Sequence, residues 1–294
     1  MLYDVKLQIR YLYGAPSVHA RNVLRLLPLH AEATQRRVTA TVEIDPPPDD
    51  RIDRTDFFGN AVTEIGYYGP VDGLTVSLAS RVERLAGPEL LDLSPAVAEL
   101  AAERAGLLDM GGASPHHFVE ATTYRTAAVP EIAAFARTAK PESATVLQTV
   151  GAFGEALHEA MRFNAGATDV DTPPAEAFAA RHGVCQDFTH IMIIGLRSLG
   201  VPAAYVSGFL RTKPPPGQPR LSGADRMHAW VRAWCGTEMG WVDYDPTNNL
   251  WVGADHIAVA IGRDYGDVAP IKGALRSTGQ QASDHSVDVI PIGT

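Results

Sequence analysis

Over residues 1–84 apolar side chains return at every second position. Val5, Leu7, Ile9, Tyr11 and Tyr13 form one series, and Val38, Ala40, Val42 and Ile44 a second. Leu74, Val76 and Leu78 form a third, with Val82 in phase. A period of two puts alternate side chains on one face of a strand, so each series predicts a strand with one buried side. Pro46-Pro47-Pro48-Asp49-Asp50 supplies a turn, and Gly59-Asn60 between apolar runs a hairpin. The expected unit is an antiparallel sandwich or half-barrel filling residues 1–90.

From about Gly87 the texture turns to Ala, Glu and Leu, and the period lengthens. Residues 94–107 and Pro130–Thr138 read as helices, with a loop from Met110 to His117 between them. Over 145–163, Val146, Leu147, Val150, Phe153, Leu157, Ala160 and Met161 share one helical face. Asp171-Thr172-Pro173-Pro174 is a helix-start signal before Ala175–Arg181. The central helix is expected from Cys185 to Leu199, closed by Gly200 and kept from continuing by Pro202. Strands follow at Ala203–Phe209, at MHAWVRAWC and GWVDYD across a Gly-containing turn, at His256–Ile261, and at Ser286–Ile290 as a closing edge. Lys213 to Pro219 is expected as a stiff exposed loop. Helices followed by a run of strands make residues 91–294 an α+β domain.

Composition narrows the function. The chain has 294 residues, 46% hydrophobic and 20% charged, as a soluble globular protein does. A formal net charge of −9 with no basic run argues against nucleic acid as the partner. The N-terminus lacks a secretory signal, and no apolar run has the length of a membrane span, so no membrane association is expected. Two cysteines, Cys185 and Cys235, do not make a disulfide framework, and reduced thiols in the cytoplasm are expected.

The chemistry converges on Arg181–Phe209. Cys185 stands where a Gly-containing loop enters the central helix, a place where unpaired N–H groups and the macrodipole favour negative charge. His228 lies early in a later strand, and Asp243 and Asp245, two apart, share a face of the next. If those strands pair antiparallel, His228 and one of the two carboxylates become neighbours. This makes a cysteine nucleophile, a His base and an Asp orienter the working expectation.

HGVCQDFTH, LRSLGVPAAYVSGF, MHAWV and GWVDYDPTN, in that order, resemble the transglutaminase-like superfamily and its bacterial cysteine-peptidase-like branch. The tail HIAVAIGRDYGDVAPIKG and the early YLYGAP, RLLP and DFFGN resemble the same branch and its β-rich N-terminal region, so the likeness runs nearly end to end. It implies a papain/transglutaminase-like core, a Cys-bearing helix packed on an antiparallel sheet. The nucleophile then falls on Cys185, the base on His228 and the orienting acid on Asp245 rather than Asp243. The implied chemistry is acyl transfer through a thioester on a peptide or protein substrate. Hydrolysis of peptide or isopeptide bonds is expected first, glutamine-to-amine cross-linking second, and a noncatalytic peptide-binding module third.

The Cys185 backbone N–H is the expected oxyanion donor. Where relatives often carry a Tyr before Gly-x-Thr, this chain has Phe163, which leaves Asn164 as a second candidate. Asp187 in the first helical turn, Trp230 and Asp243 are further candidates for the substrate or oxyanion site. Dipole compensation alone would also account for Asp187. His182 and His190 are expected at the surface or as caps, Cys235 as a structural strand residue, and His116-His117 as a polar loop. Most of Trp230, Trp234, Trp241 and Trp251 should be core. Arg263-Asp264-Tyr265 reads equally as a substrate contact or an internal ion pair. No CxxC, HExxH or D-x-D-x-D-G loop is present, so neither a metal nor another cofactor is expected.

Overall fold

The fold is described from a computed structural model, over residues 1–17, 19–85, 90–212, 223, 225–275 and 281–293. Six strands come first: β1 (Leu2–Ser17), β2 (Ala20–Leu24), β3 (Gln35–Asp45), β4 (Asp50–Thr55), β5 (Ala61–Tyr67) and β6 (Val71–Arg84). Helices α1 (Leu100–Ala105), α2 (Pro130–Ala139) and α3 (Val146–Ala160) follow, then β7 (Arg162–Phe163), α4 (Pro174–Ala180), β8 (His182–Gly183) and α5 (Cys185–Ser198). The last third holds β9 (Ala203–Leu210), β10 (Arg226–Trp234), β11 (Trp241–Asp245), β12 (Leu250–Trp251) and β13 (His256–Gly262). A short α6 (Tyr265–Val268) precedes β14 (Ile271–Leu275) and β15 (Gln281–Ile292). The loop expected at 213–219 lies outside the described residues.

The strands form two four-stranded antiparallel sheets, ordered β15-β1-β6-β3 and β14-β2-β5-β4, and a five-stranded antiparallel sheet, β12-β11-β10-β9-β13. The protein is therefore α+β, with an N-terminal pair of β sheets and a core in which a cysteine-bearing helix packs on an antiparallel sheet. Helix α5 packs against β9 and β10 on one side and α2, α3 and α4 on others, which explains why its apolar residues are not confined to one stripe.

The alternation in β1 works as expected, with Tyr3, Val5, Leu7 and Ile9 buried. The second series does not. A register shift between Arg37 and Thr39 makes Val38 the bulged residue, so Val38 is exposed and only Val42 of that series is buried. The helix expected at 94–107 shrinks to α1, because Pro95 to Val97 pair with Ala144 to Val146 at the start of α3. Thr145 and Gln148 close that start reciprocally as a capping box.

The closing edge strand exists, but it closes an N-terminal sheet. β15 pairs with β1 and β14 with β2, so residues 271–275 and 281–292 return to the β-rich half across the division expected at residue 90. The two halves are also sewn together by side-chain amides. Gln35 exchanges two hydrogen bonds with the backbone of Ala258, at 2.8 and 2.9 Å, and Asn60 exchanges two with Ile261, at 2.7 and 2.8 Å. Each carboxamide thus occupies the outer edge of β13 as one residue of a neighbouring strand would.

Candidate active site

Cys185 is the first residue of α5, half-buried and free. Its backbone N–H belongs to the helix start, where no intrahelical acceptor exists. Asp187, buried two residues on, turns back to accept from the Val184 N–H at 2.8 Å and from the Thr168 hydroxyl at 2.6 Å. Burial raises the Asp187 carboxyl above its usual range, against the lowering effect of those two bonds. Its approach requires Gly183, because a Cβ there would come within 2.5 Å of Oδ2. The GVCQDF motif is therefore a locked helix entry that fixes where the sulfur stands.

β10 and β11 do pair antiparallel, with Val231 opposite Tyr244 and Arg232 opposite Asp243. His228 Nε2 lies 2.7 Å from Asp245 Oδ2, and both side chains are buried. A carboxylate only accepts, so Nε2 carries the proton and donates. Burial opposes charge on His228, but the Asp245 bond and then the hydrogen-bonding contact with Cys185 outweigh it and raise the imidazole to about 10. Burial likewise favours the protonated acid at Asp245, yet the bonds from His228 and His256 hold it far below the usual carboxylate range. Asp245, His228 and Cys185 thus stand in sequence, with a hydrogen bond from His228 to Asp245 and an electrostatic contact between His228 and Cys185.

His256 completes this arrangement and was not singled out from the sequence. Its Nε2 donates to the same Asp245 Oδ2 at 3.0 Å, as does Asn248 Nδ2 at 2.7 Å. Oδ1 takes the backbone N–H groups of Thr247 and Asn248, at 3.0 and 3.2 Å. His256 opens β13, at the far edge of the sheet from β12, so the connection between those strands carries it back across the sheet end. The one signal available was that His heading the HIAVAIGRDYG tail. His228, Asp245 and His256 also place three ligand-type atoms within 4.8 Å of one another, a metal-compatible grouping among the described residues. Both facing ring nitrogens stand at hydrogen-bond distance from Oδ2, at 2.7 and 3.0 Å.

The remaining candidates fall elsewhere. Asp243 pairs with Arg232 at 2.6 Å and accepts from Trp230 Nε1 at 3.1 Å, so both Asp243 and Trp230 are spent in an internal polar layer of the sheet. Asn164 is exposed, and its Oδ1 accepts from the Gly166 N–H in its own loop. Phe163 is also exposed, on β7, which pairs in parallel with β8 just before Cys185. A phenol does approach from another element. Tyr205 of β9 is buried against His190, and burial, then the charge of Cys185, hold it well above its ordinary value as a neutral O–H.

His182 is half-buried in β8, but His190 is neither surface nor cap. It is buried in α5, its Nε2 accepts from the Tyr265 N–H at 3.2 Å, and burial lowers it to about 3. Arg263 pairs with Asp267, and Asp264 accepts from Thr122 and Thr123, so that cluster ties the tail internally. Trp230 and Trp234 are core, while Trp241 and Trp251 are half-buried. Cys235 is a buried thiol pushed up to about 12 by burial. His116 and His117 each donate from Nε2 to a main-chain carbonyl, of Leu107 and Met110.

A Cys-headed helix on an antiparallel sheet, with His and Asp on adjacent strands, is the architecture of the transglutaminase-like superfamily, and the chain belongs to it. Residues 133–246 match that superfamily, and residues 3–83 match the bacterial transglutaminase-like N-terminal region. An uncharacterized protein of Mycobacterium tuberculosis is 34% identical over 285 residues, covering 95% of this chain and 87% of its own. One from Mycobacterium leprae is 31% identical over 287 residues, covering 95% of both chains. The fold is shared with a candidate cysteine protease from Cytophaga hutchinsonii, at 19% identity and a TM-score of 0.76, over 100% of this chain and 91% of that one.

Proposed function

We propose that the protein is a cysteine-dependent acyl-transfer enzyme that hydrolyses peptide or isopeptide amide bonds. The observation that carries the reading is the line from buried Asp245 through buried His228 toward half-buried Cys185, with His228 raised to about 10 and so charged at neutral pH. The Cys185 sulfur attacks the carboxamide carbon to form a C–S bond, and the oxyanion develops against the Cys185 N–H. As the C–N bond breaks, His228 gives its proton to the leaving amine. The now neutral imidazole takes a proton from water, whose oxygen displaces the sulfur, and the carboxylic acid leaves as the thiolate and the charged imidazole are restored. A peptide or protein is the substrate class in this reading. A reducing compartment suits the thiol, and cytoplasmic residence remains part of the proposal.

Intact-mass spectrometry after exposure to cell extract tests the nucleophile, because an acyl adduct on Cys185 reports the acyl group by its mass. Glutamine peptides incubated with a fluorescent amine then separate the acceptors. Incorporation exceeding hydrolysis would replace the hydrolase by a transglutaminase. An unmodified Cys185 that alkylates no faster than a free thiol would leave a binding module of the same fold.

A further inference from the structure

We propose that His256 is a positioning residue for the Cys185–His228–Asp245 site, holding the Asp245 carboxylate in place through its Nε2–H. The inference rests on the triad reading above and names a member that reading does not contain. Asp245 is fully buried, and five donors converge on it, three at Oδ2 and two at Oδ1. A carboxylate offers about four lone-pair directions, so this one is saturated and has no freedom to rotate. Four of the five donors are His228 itself and the local turn at Thr247 and Asn248. Only His256 approaches from outside both, and it gives Oδ2 a second imidazole donor against a swing about the turn, one not needed for the reaction itself.

The position would be cheaper to fill with an apolar side chain. His256 is 3% exposed, and its Nδ1 is buried without a hydrogen-bond partner, a cost that a packing residue would avoid. Its ring meets Trp230 edge-on at 5.2 Å, an aromatic contact that phenylalanine would make as well. The Nε2–H is therefore the feature that requires histidine. The ionisable groups facing the ring are Asp245 and His228, and the neighbouring Asp255 pairs with Arg211. Tyr3 of β1 donates to Asp255, and Arg84 of β6 donates to the Gly253 carbonyl, so the N-terminal half grips the segment that delivers His256.

The test compares His256→Phe, which keeps the ring and removes the donor, with His256→Gln, which keeps a donor and removes the ring. The readout is the rate of Cys185 alkylation by iodoacetamide from about pH 5 to about pH 9, followed by intact mass. The buried Cys235 does not compete. The expected result is a fall on the order of tenfold in the Phe variant near neutral pH, with most of the rate restored by Gln. If His256→Phe does not fold, His256→Met removes the donor with a more adaptable apolar chain. A donorless variant alkylating as fast as the unmodified protein overturns the proposal, and so do Phe and Gln variants that are equally slow. Failure of the triad reading looks different: the unmodified protein itself would then react no faster than a free thiol.

Discussion

His190 and His228 titrate in opposite senses, and replacing His190 separates them. His190→Gln keeps a side-chain acceptor for the Tyr265 N–H while removing the ionisable ring. The unfolded histidine takes a proton at about 6.5, whereas burial delays this in the native state to about 3. Between those values the unfolded chain holds the extra proton, so native stability falls as pH drops. His228 is the reverse: raised from 6.5 to about 10, it contributes fully below 6.5 and loses its contribution as pH rises through 10. Together they place maximal stability near 6.5, with a decline on each side.

The expected magnitude follows from about 1.4 kcal/mol per proton per pH unit. From about pH 8 to about pH 5, His190 costs the native state about 2 kcal/mol that the Gln variant does not lose. The His228 contribution is common to both proteins and cancels in their difference. Urea unfolding followed by circular dichroism at the two pH values measures that difference directly. A difference between the proteins that is the same at both pH values would refute the assignment of His190 as a histidine buried neutral.

Three other substitutions test the site and the seam. Asp245→Asn must set an NH2 group against either the two backbone donors at Oδ1 or the three donors at Oδ2, so turnover should fall roughly 10³-fold or more, measured as kcat/KM. Cys185→Ala should abolish turnover and acyl-enzyme formation while keeping unfolding free energy within about 1 kcal/mol, and retained activity would remove Cys185 from the mechanism. Asn60→Leu strips the Ile261 N–H and C=O of their outer partners, and urea unfolding should register a loss of about 2–4 kcal/mol.

The sequence made strand and helix identities legible where one period ran unbroken, as in β1 and α3. It misled at Val38, where one bulged residue inverts the phase that a strict alternation assumes. It misled again at Pro95 to Val97, which can pair with the chain entering α3 only once the fold brings the two together. Cys185, His228 and Asp245 stood out because each sits in a short ordered motif. His256 did not, because its link to Asp245 depends on a connection crossing the sheet, and no local spacing encodes that path. Asp243 and Asp245 were equivalent by alternation, and the difference between them is the Arg232 guanidinium that occupies one of them.

The pairing of Leu2 with Ile292 means that β1 takes one of its two partners from beyond the helical core and the five-stranded sheet. The helical core and five-stranded sheet, both complete by Gly262, can order themselves while the first sheet still lacks its edge. Joining β1 to β15 is therefore the longest-range strand pairing among the described residues, and such pairings form slowly. A nascent or prematurely terminated chain would carry the thiol, imidazole and carboxylate but leave β1 with an open edge. Such a product is exposed to strand-to-strand association through that edge. Pairing of β15 thus covers β1 and makes β15 the outer strand of that sheet in its place.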